Sequence, residues 1–188
     1  MNNLYALEIK AAKSIPHNQK IPKRVKEDLK LHQKFLKIAN KGISMNLLTF
    51  RNPNHIIIGN ACEHGLGAFH VQSGQAYSWI IPEELRGRAH INLLEFLTQV
   101  IQVWLDILEN RIQPEDCILA LGDNTSAMGW LRRSNFRETK DEDEENELDW
   151  FVKQQVAQKY ATLILDAKAC LYSQWFAGSE NIGSDSLS

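Results

Sequence analysis

Cysteine, proline and long apolar runs are all scarce in this sequence, and each shortage excludes something. Of 188 residues only three are cysteine, Cys62, Cys117 and Cys170, far apart and with no CxxC pair. That argues against a zinc cage or a disulfide framework and for a reducing intracellular compartment, cytoplasmic or nuclear. All three lie in apolar, strand-like runs, so buried free thiols are expected. The five prolines, Pro16, Pro22, Pro53, Pro82 and Pro114, fall between periodic segments and mark boundaries. No run of 18 or more consecutive apolar residues exists, so no membrane span is expected. The first 20 residues are too polar for a secretory signal.

An apolar fraction of 44% is enough for one domain with a real core. The net charge of −2 conceals two parts of opposite sign. Residues 1–51 carry eleven Lys/Arg against three Asp/Glu, and residues 52–188 carry ten against twenty. A basic arm on an acidic globule suits a polyanion held near a cation; a solvated helix plus an acidic loop gives the same counts. Residues 1–24 read as a basic, flexible arm. Residues 25–52 read as a helix and linker. Val25, Leu29, Leu36 and Ala39 fall at helical spacing, Phe35 and Ile38 widen the apolar face, and Gly42 supplies a left-handed C-cap.

From residue 53 the pattern changes. Ile56, Ile57 and Ile58 favour a buried strand that ends near Asn60, and Gly65 and Gly67 mark the reversal into a second strand. Ser73-Gly74 reads as a hairpin turn into a third. Residues 90–109 form the most apolar helix, with Asn92, Glu95, Gln99, Gln102, Asp106 and Glu109 in one narrow polar stripe. Residues 117–121 are another buried strand, ending in Gly122-Asp123-Asn124-Thr125-Ser126, where Asn124 or Thr125 caps a short helix. Residues 137–149 hold eight acidic residues and one lysine, and read as a solvated loop. A helix over 148–167, a strand over 169–176 and the start of a helix at Asp185 complete the chain. Hairpin strands followed by βαβ units mean a mixed sheet with helices on its faces.

Four polar positions share comparable addresses: Asn60 and Asp123 at strand ends, Glu95 in the second turn of the long helix, and Asp185 at the start of the last one. Singly, each has an ordinary explanation: Glu95 as part of a solvent stripe, Asp123 as a turn residue, Asp185 as an acid at a helix N-terminus. Jointly they converge if the first and fourth strands are neighbours. Clustered carboxylates repel unless a cation sits among them, and Mg²⁺ suits such oxygen ligands. Two such ions can flank an in-line displacement at phosphorus.

Residues 59–68, Asn92-Leu93-Leu94-Glu95, residues 122–127 and residues 175–188, taken in this order, resemble the ribonuclease H domain of retroelement reverse transcriptases. The resemblance covers about residues 25–188, with 25–52 similar to the connection after a polymerase domain and 53–188 to the ribonuclease H domain itself. It implies a ribonuclease H-like α/β fold: a five-stranded mixed sheet, three antiparallel strands then two parallel additions, flanked by helices. It also implies a four-carboxylate site, two Mg²⁺ ions and hydrolysis of the RNA strand of an RNA–DNA hybrid. Glu95, Asp123 and Asp185 match the acids; Asn124, Thr125 and Ser126 match the polar turn along the substrate backbone. A polymerase domain in cis in the parent element follows from the same likeness.

Asn60 departs from the pattern, which has Asp there as the ligand of both metals. A neutral amide keeps one acceptor oxygen and adds a donor, so weakened metal binding and impaired cleavage are expected. Trp175 and Ala177 replace a frequent His and a usual Pro, and the final helix is cut short after Asp185. Two functions therefore stand: an impaired ribonuclease H-type endonuclease, and an inactive nucleic-acid-binding relic that keeps the fold. A protein-interaction role for the acidic segment 138–149 is a third.

Overall fold

The sheet starts where the sequence places three isoleucines together. In the computed structural model, which describes residues 21–133, 147–180 and 186–187, β1 spans His55–Ala61 and buries Ile57, Gly59 and Ala61. β2, Gly65–His70, and β3, Gln75–Ile80, follow as antiparallel neighbours. Their hairpin turns at Gly74, whose φ of 68° a side chain would resist. α2, Ile91–Leu108, crosses to β4, Cys117–Gly122, which lies parallel to β1. α3, Thr125–Arg133, and α4, Glu147–Ala167, lead to β5, Cys170–Trp175, parallel to β4. The strand order is β3-β2-β1-β4-β5. This is the five-stranded mixed sheet expected, antiparallel on one side and parallel on the other.

The helices cover the sheet over a main core, with a smaller cluster of Ala61, Leu66 and Ile81 beside it. Ile57, Phe96, Val103, Ile118, Ala120 and Ala127 are essentially sealed from solvent, with Leu97, Val156 and Leu163 packed around them. α1, Lys23–Ala39, precedes the sheet and packs on α4. It begins two residues before the expected boundary at 25, because Pro22 can stand just ahead of a helix but not inside one. Gly42 follows it at φ 92°, as expected. Residues 1–20, the bulk of the arm, lie outside the described residues, as do 134–146, the bulk of the acidic segment.

Two expectations change. The polar stripe of α2 is not a solvent face. Glu95, Gln99, Gln102 and Asp106 are all buried, whereas Trp104 and Leu108 on the same helix are half exposed. Hydrophobic periodicity assigns polar residues to water, but here they find partners inside: Gln99 on strand carbonyls, and Gln102 and Arg111 on Asp106. α2 has the length and apolar content of a membrane span, yet this stripe is turned into the protein. Cys62 also differs. Cys117 and Cys170 are buried, but Cys62 is half-buried in the turn after β1, where its Sγ accepts from the His64 N–H.

Candidate active site at the strand ends

The register of the parallel pair brings the first two candidates together. β1 and β4 pair from His55↔Ile118 to Ile58↔Leu121; two residues further at the same offset stands Asn60 opposite Asp123. Asn60 also pairs with Gly67, and Gly67 with Ser78, so one row crosses three strands at this end of the sheet. Parallel strands leave their carboxyl ends free to carry such groups where the chain turns away into helices.

Asn124 ties this pair to α2. Its Oδ1 accepts from the Ala127 N–H at 3.0 Å, so Asn124, rather than Thr125, caps α3. Its Nδ2 donates to Asn92 Oδ1 at 2.7 Å and approaches Glu95 Oε1 at 3.4 Å. The structure therefore brings Asn60, Glu95, Asp123 and Asn124 to one end of the sheet. Thr125 is exposed and Ser126 half-buried on the first turn of α3 beside them.

Asp123 is met from two sides. The Trp175 indole N–H donates to its carbonyl at 2.6 Å. Gly178 packs so closely that a Cβ there would lie 2.8 Å from Asp123 Oδ2. Asp123 Oδ1 is buried with no hydrogen-bond partner among the described residues. A buried, unsatisfied carboxylate oxygen is unfavourable by about 1–3 kcal/mol or more, and a cation at this point would satisfy it.

No family model matches the chain, and no curated protein matches its sequence. Solved structures do match. LC11-RNase H1 in complex with RNA/DNA hybrid superposes at a TM-score of 0.52 and 14% identity, over 71% of this chain and 93% of that one. A second structure of LC11-RNase H1, isolated from compost by a metagenomic approach, gives 0.50 and 12%, over 73% and 93%. RNase H1 from the halophilic archaeon Halobacterium salinarum gives 0.49 and 15%, over 71% and 92%. The chain has the ribonuclease H fold.

Within this ribonuclease H fold, three of the four expected ligand positions are described. Asp185 lies outside the described residues, but Leu187, two residues on, accepts from Ser78 Oγ at 2.7 Å, on the same cross-strand row as Asn60. No cluster of three or more His, Cys, Asp or Glu able to hold a metal occurs among the described residues. The donors present are oxygens throughout, which fits a hard cation such as Mg²⁺.

Sequence reasoning passed over four residues here. Asn92 was visible only as part of the Asn-Leu-Leu-Glu motif, and its bond to Asn124 makes it a member of the site. Trp175 stood out as a departure, without its hydrogen bond to Asp123. Gly178 was visible only within residues 175–188, and Gln99 only as a member of the polar stripe. Their signal is steric: Gly59 and Gly178 lack the side chains that would collide with Gln99 and Asp123.

Proposed function

We propose that the chain is a ribonuclease H-type domain of retroelement origin that binds RNA–DNA hybrids at the β1–β4 end of the sheet, with its strand-cleaving chemistry impaired by Asn60. The observation that supports this reading is the β1–β4 register, which runs to Ile58↔Leu121 and at the same offset sets Asn60 against Asp123, with Asn124, the residue after Asp123, hydrogen-bonded to Glu95. The retroelement origin rests on the sequence resemblance, and a polymerase domain in cis belongs to the same reading. Asn60, Glu95, Asp123 and Asp185 would hold two Mg²⁺ ions. When bound, the ions would activate water and steady the leaving oxygen at a phosphodiester.

The chain's own residues do the rest. Asn124 holds the Glu95 carboxylate and the start of α3 in one geometry, and Thr125 and Ser126 offer hydroxyls to a phosphate backbone. Lys23, Lys26, Lys30, Lys37 and Lys41 lie exposed along and just beyond α1 and supply a basic stripe for the same polyanion. Asn60 cannot carry the charge that two dications require. Two charges at such a site interact by several kcal/mol even at an effective dielectric of about 20, so cleavage falls by orders of magnitude while hybrid binding persists. The same residue supports a second reading, a non-catalytic hybrid-binding module.

One experiment separates the two. A labelled RNA–DNA hybrid is incubated with Mg²⁺ and either the chain or its Asn60→Asp variant, with binding measured in parallel. Cleavage by the variant alone establishes an impaired enzyme. Binding without cleavage by either, both folded, establishes the binding module. Absence of both overturns the proposal.

A further inference from the structure

We propose that Gln99 is the positioning residue of this site: its side-chain amide fixes the spacing of the strand ends that carry Asn60 and Asp123, and the height above them of the helix that carries Glu95. What Gln99 does for a metal rests on the cation reading above; what it does to the strand ends does not.

The backbone pairing of β1 with β4 stops at Ile58↔Leu121, just short of the two candidate ligands. At that point Gln99 Nε2 takes over, donating to Leu121 O at 2.9 Å and to Gly59 O at 3.3 Å. One amide thus bridges two strands that the ladder no longer joins, next to Asn60 on one and two residues before Asp123 on the other. The orientation of the amide is set by its partners, because only the nitrogen can donate to two carbonyls. Gln99 lies four residues after Glu95, one turn along the same face of α2, so its anchorage also indexes Glu95.

Space for this amide exists because Gly59 lacks a side chain, and Gly122 leaves room for the Met128 side chain beside it. A Cβ on Gly59 would lie 2.7 Å from Gln99 Nε2, and one on Gly122 would lie 2.8 Å from Met128 Cε and 3.5 Å from Gln99 Nε2. Each glycine immediately precedes a candidate ligand. Gln99 is 1% exposed, and its Oε1 is buried with no hydrogen-bond partner among the described residues. An apolar side chain of the same shape would leave no such atom. The amide is therefore not the best filler of this space, and its position relative to the strand ends is what distinguishes it.

The test uses the full chain and its Asn60→Asp variant, each with and without Gln99→Met. Three quantities are read: amide hydrogen exchange, the thermal midpoint and Mn²⁺ affinity by titration. Exchange at residues 59–61 and 121–123 is expected to accelerate at least tenfold in Gln99→Met, while the rest of the sheet and the midpoint hold. Mn²⁺ is expected to bind at least tenfold more weakly in the double variant than in Asn60→Asp. Gly59→Ala, which displaces the amide without changing it, is expected to reproduce the local acceleration. Unchanged exchange at the strand ends overturns the proposal, and so does a uniform loss of protection with a lower midpoint, the mark of a merely structural residue. Local acceleration without Mn²⁺ binding by any variant supports the positioning role and overturns the cation reading.

Discussion

Asn60→Asp adds one negative charge, without changing side-chain shape, at the point where β1 and β4 present their ends. Two unit charges about 4 Å apart interact by about 4 kcal/mol at an effective dielectric near 20, and a dication doubles this to about 8. Against that stand the desolvation of the new carboxylate and its repulsion by Glu95 and Asp123, each of a few kcal/mol in a half-buried setting. A net gain of about 4 kcal/mol in metal binding corresponds to about a thousandfold in affinity. The same repulsion acts unopposed without metal, so the variant is expected to melt below the parent in chelator and to recover, or exceed it, in millimolar Mg²⁺. Thermal melts with chelator and with Mg²⁺ read the first effect, and single-turnover cleavage of an RNA–DNA hybrid reads the second. A variant that is folded, equally stable with and without Mg²⁺ and still inactive would refute the reasoning, since the added charge would then have no cation to meet.

Three further outcomes follow from the described contacts. Replacing Lys26, Lys30 and Lys37 of α1 together by Gln is expected to reduce the slope of log affinity for hybrid against log salt by about 2–3, one released counterion for each lost phosphate contact; an unchanged slope removes α1 from the interface. Asn124→Ala is expected to cost about 0.5–2 kcal/mol through loss of the α3 cap, read by urea unfolding, and to weaken Mn²⁺ binding by freeing Glu95. Acidification is expected to destabilise the fold through His70. Burial holds its pKa below the ordinary value of 6.5, with His55 and Arg111 acting in the same direction and Asp106 against. The Ser73 N–H donates to His70 Nδ1 at 3.1 Å, which leaves the proton of the neutral ring on Nε2, facing His55 Nδ1, whose own Nε2 meets Asp116. Because the folded pKa is depressed, the unfolded chain binds the proton more readily. Stability is full above about pH 6.5 and falls below it by up to about 1.4 kcal/mol per pH unit. Urea midpoints of the chain and of His70→Gln across pH 5–7.5 check this, the variant's slope being the smaller.

The contrast between what the sequence disclosed and what it hid comes down to range. Local chemistry was legible. Three β-branched residues followed by glycines made a strand and a reversal, Ser73-Gly74 made a hairpin, and Gly42 closed a helix, because each depends on a few neighbouring residues. The convergence of Asn60 and Asp123 was legible conditionally, once β1 and β4 were taken as adjacent; the register that sets them opposite each other, an offset of 63 residues, was not. The α2 stripe shows why. A polar stripe on an apolar helix has the same periodicity whether it faces water or a sheet lined with spare carbonyls, so spacing alone left a solvent face open as an explanation of Glu95. What distinguishes the two cases lies on another element: a glycine at 59, just before a candidate ligand, leaves the hollow that Gln99 fills. A glycine inside a strand weakens that strand unless something else needs the space. A strand glycine set against a buried glutamine of another element makes a signal that no single segment carries.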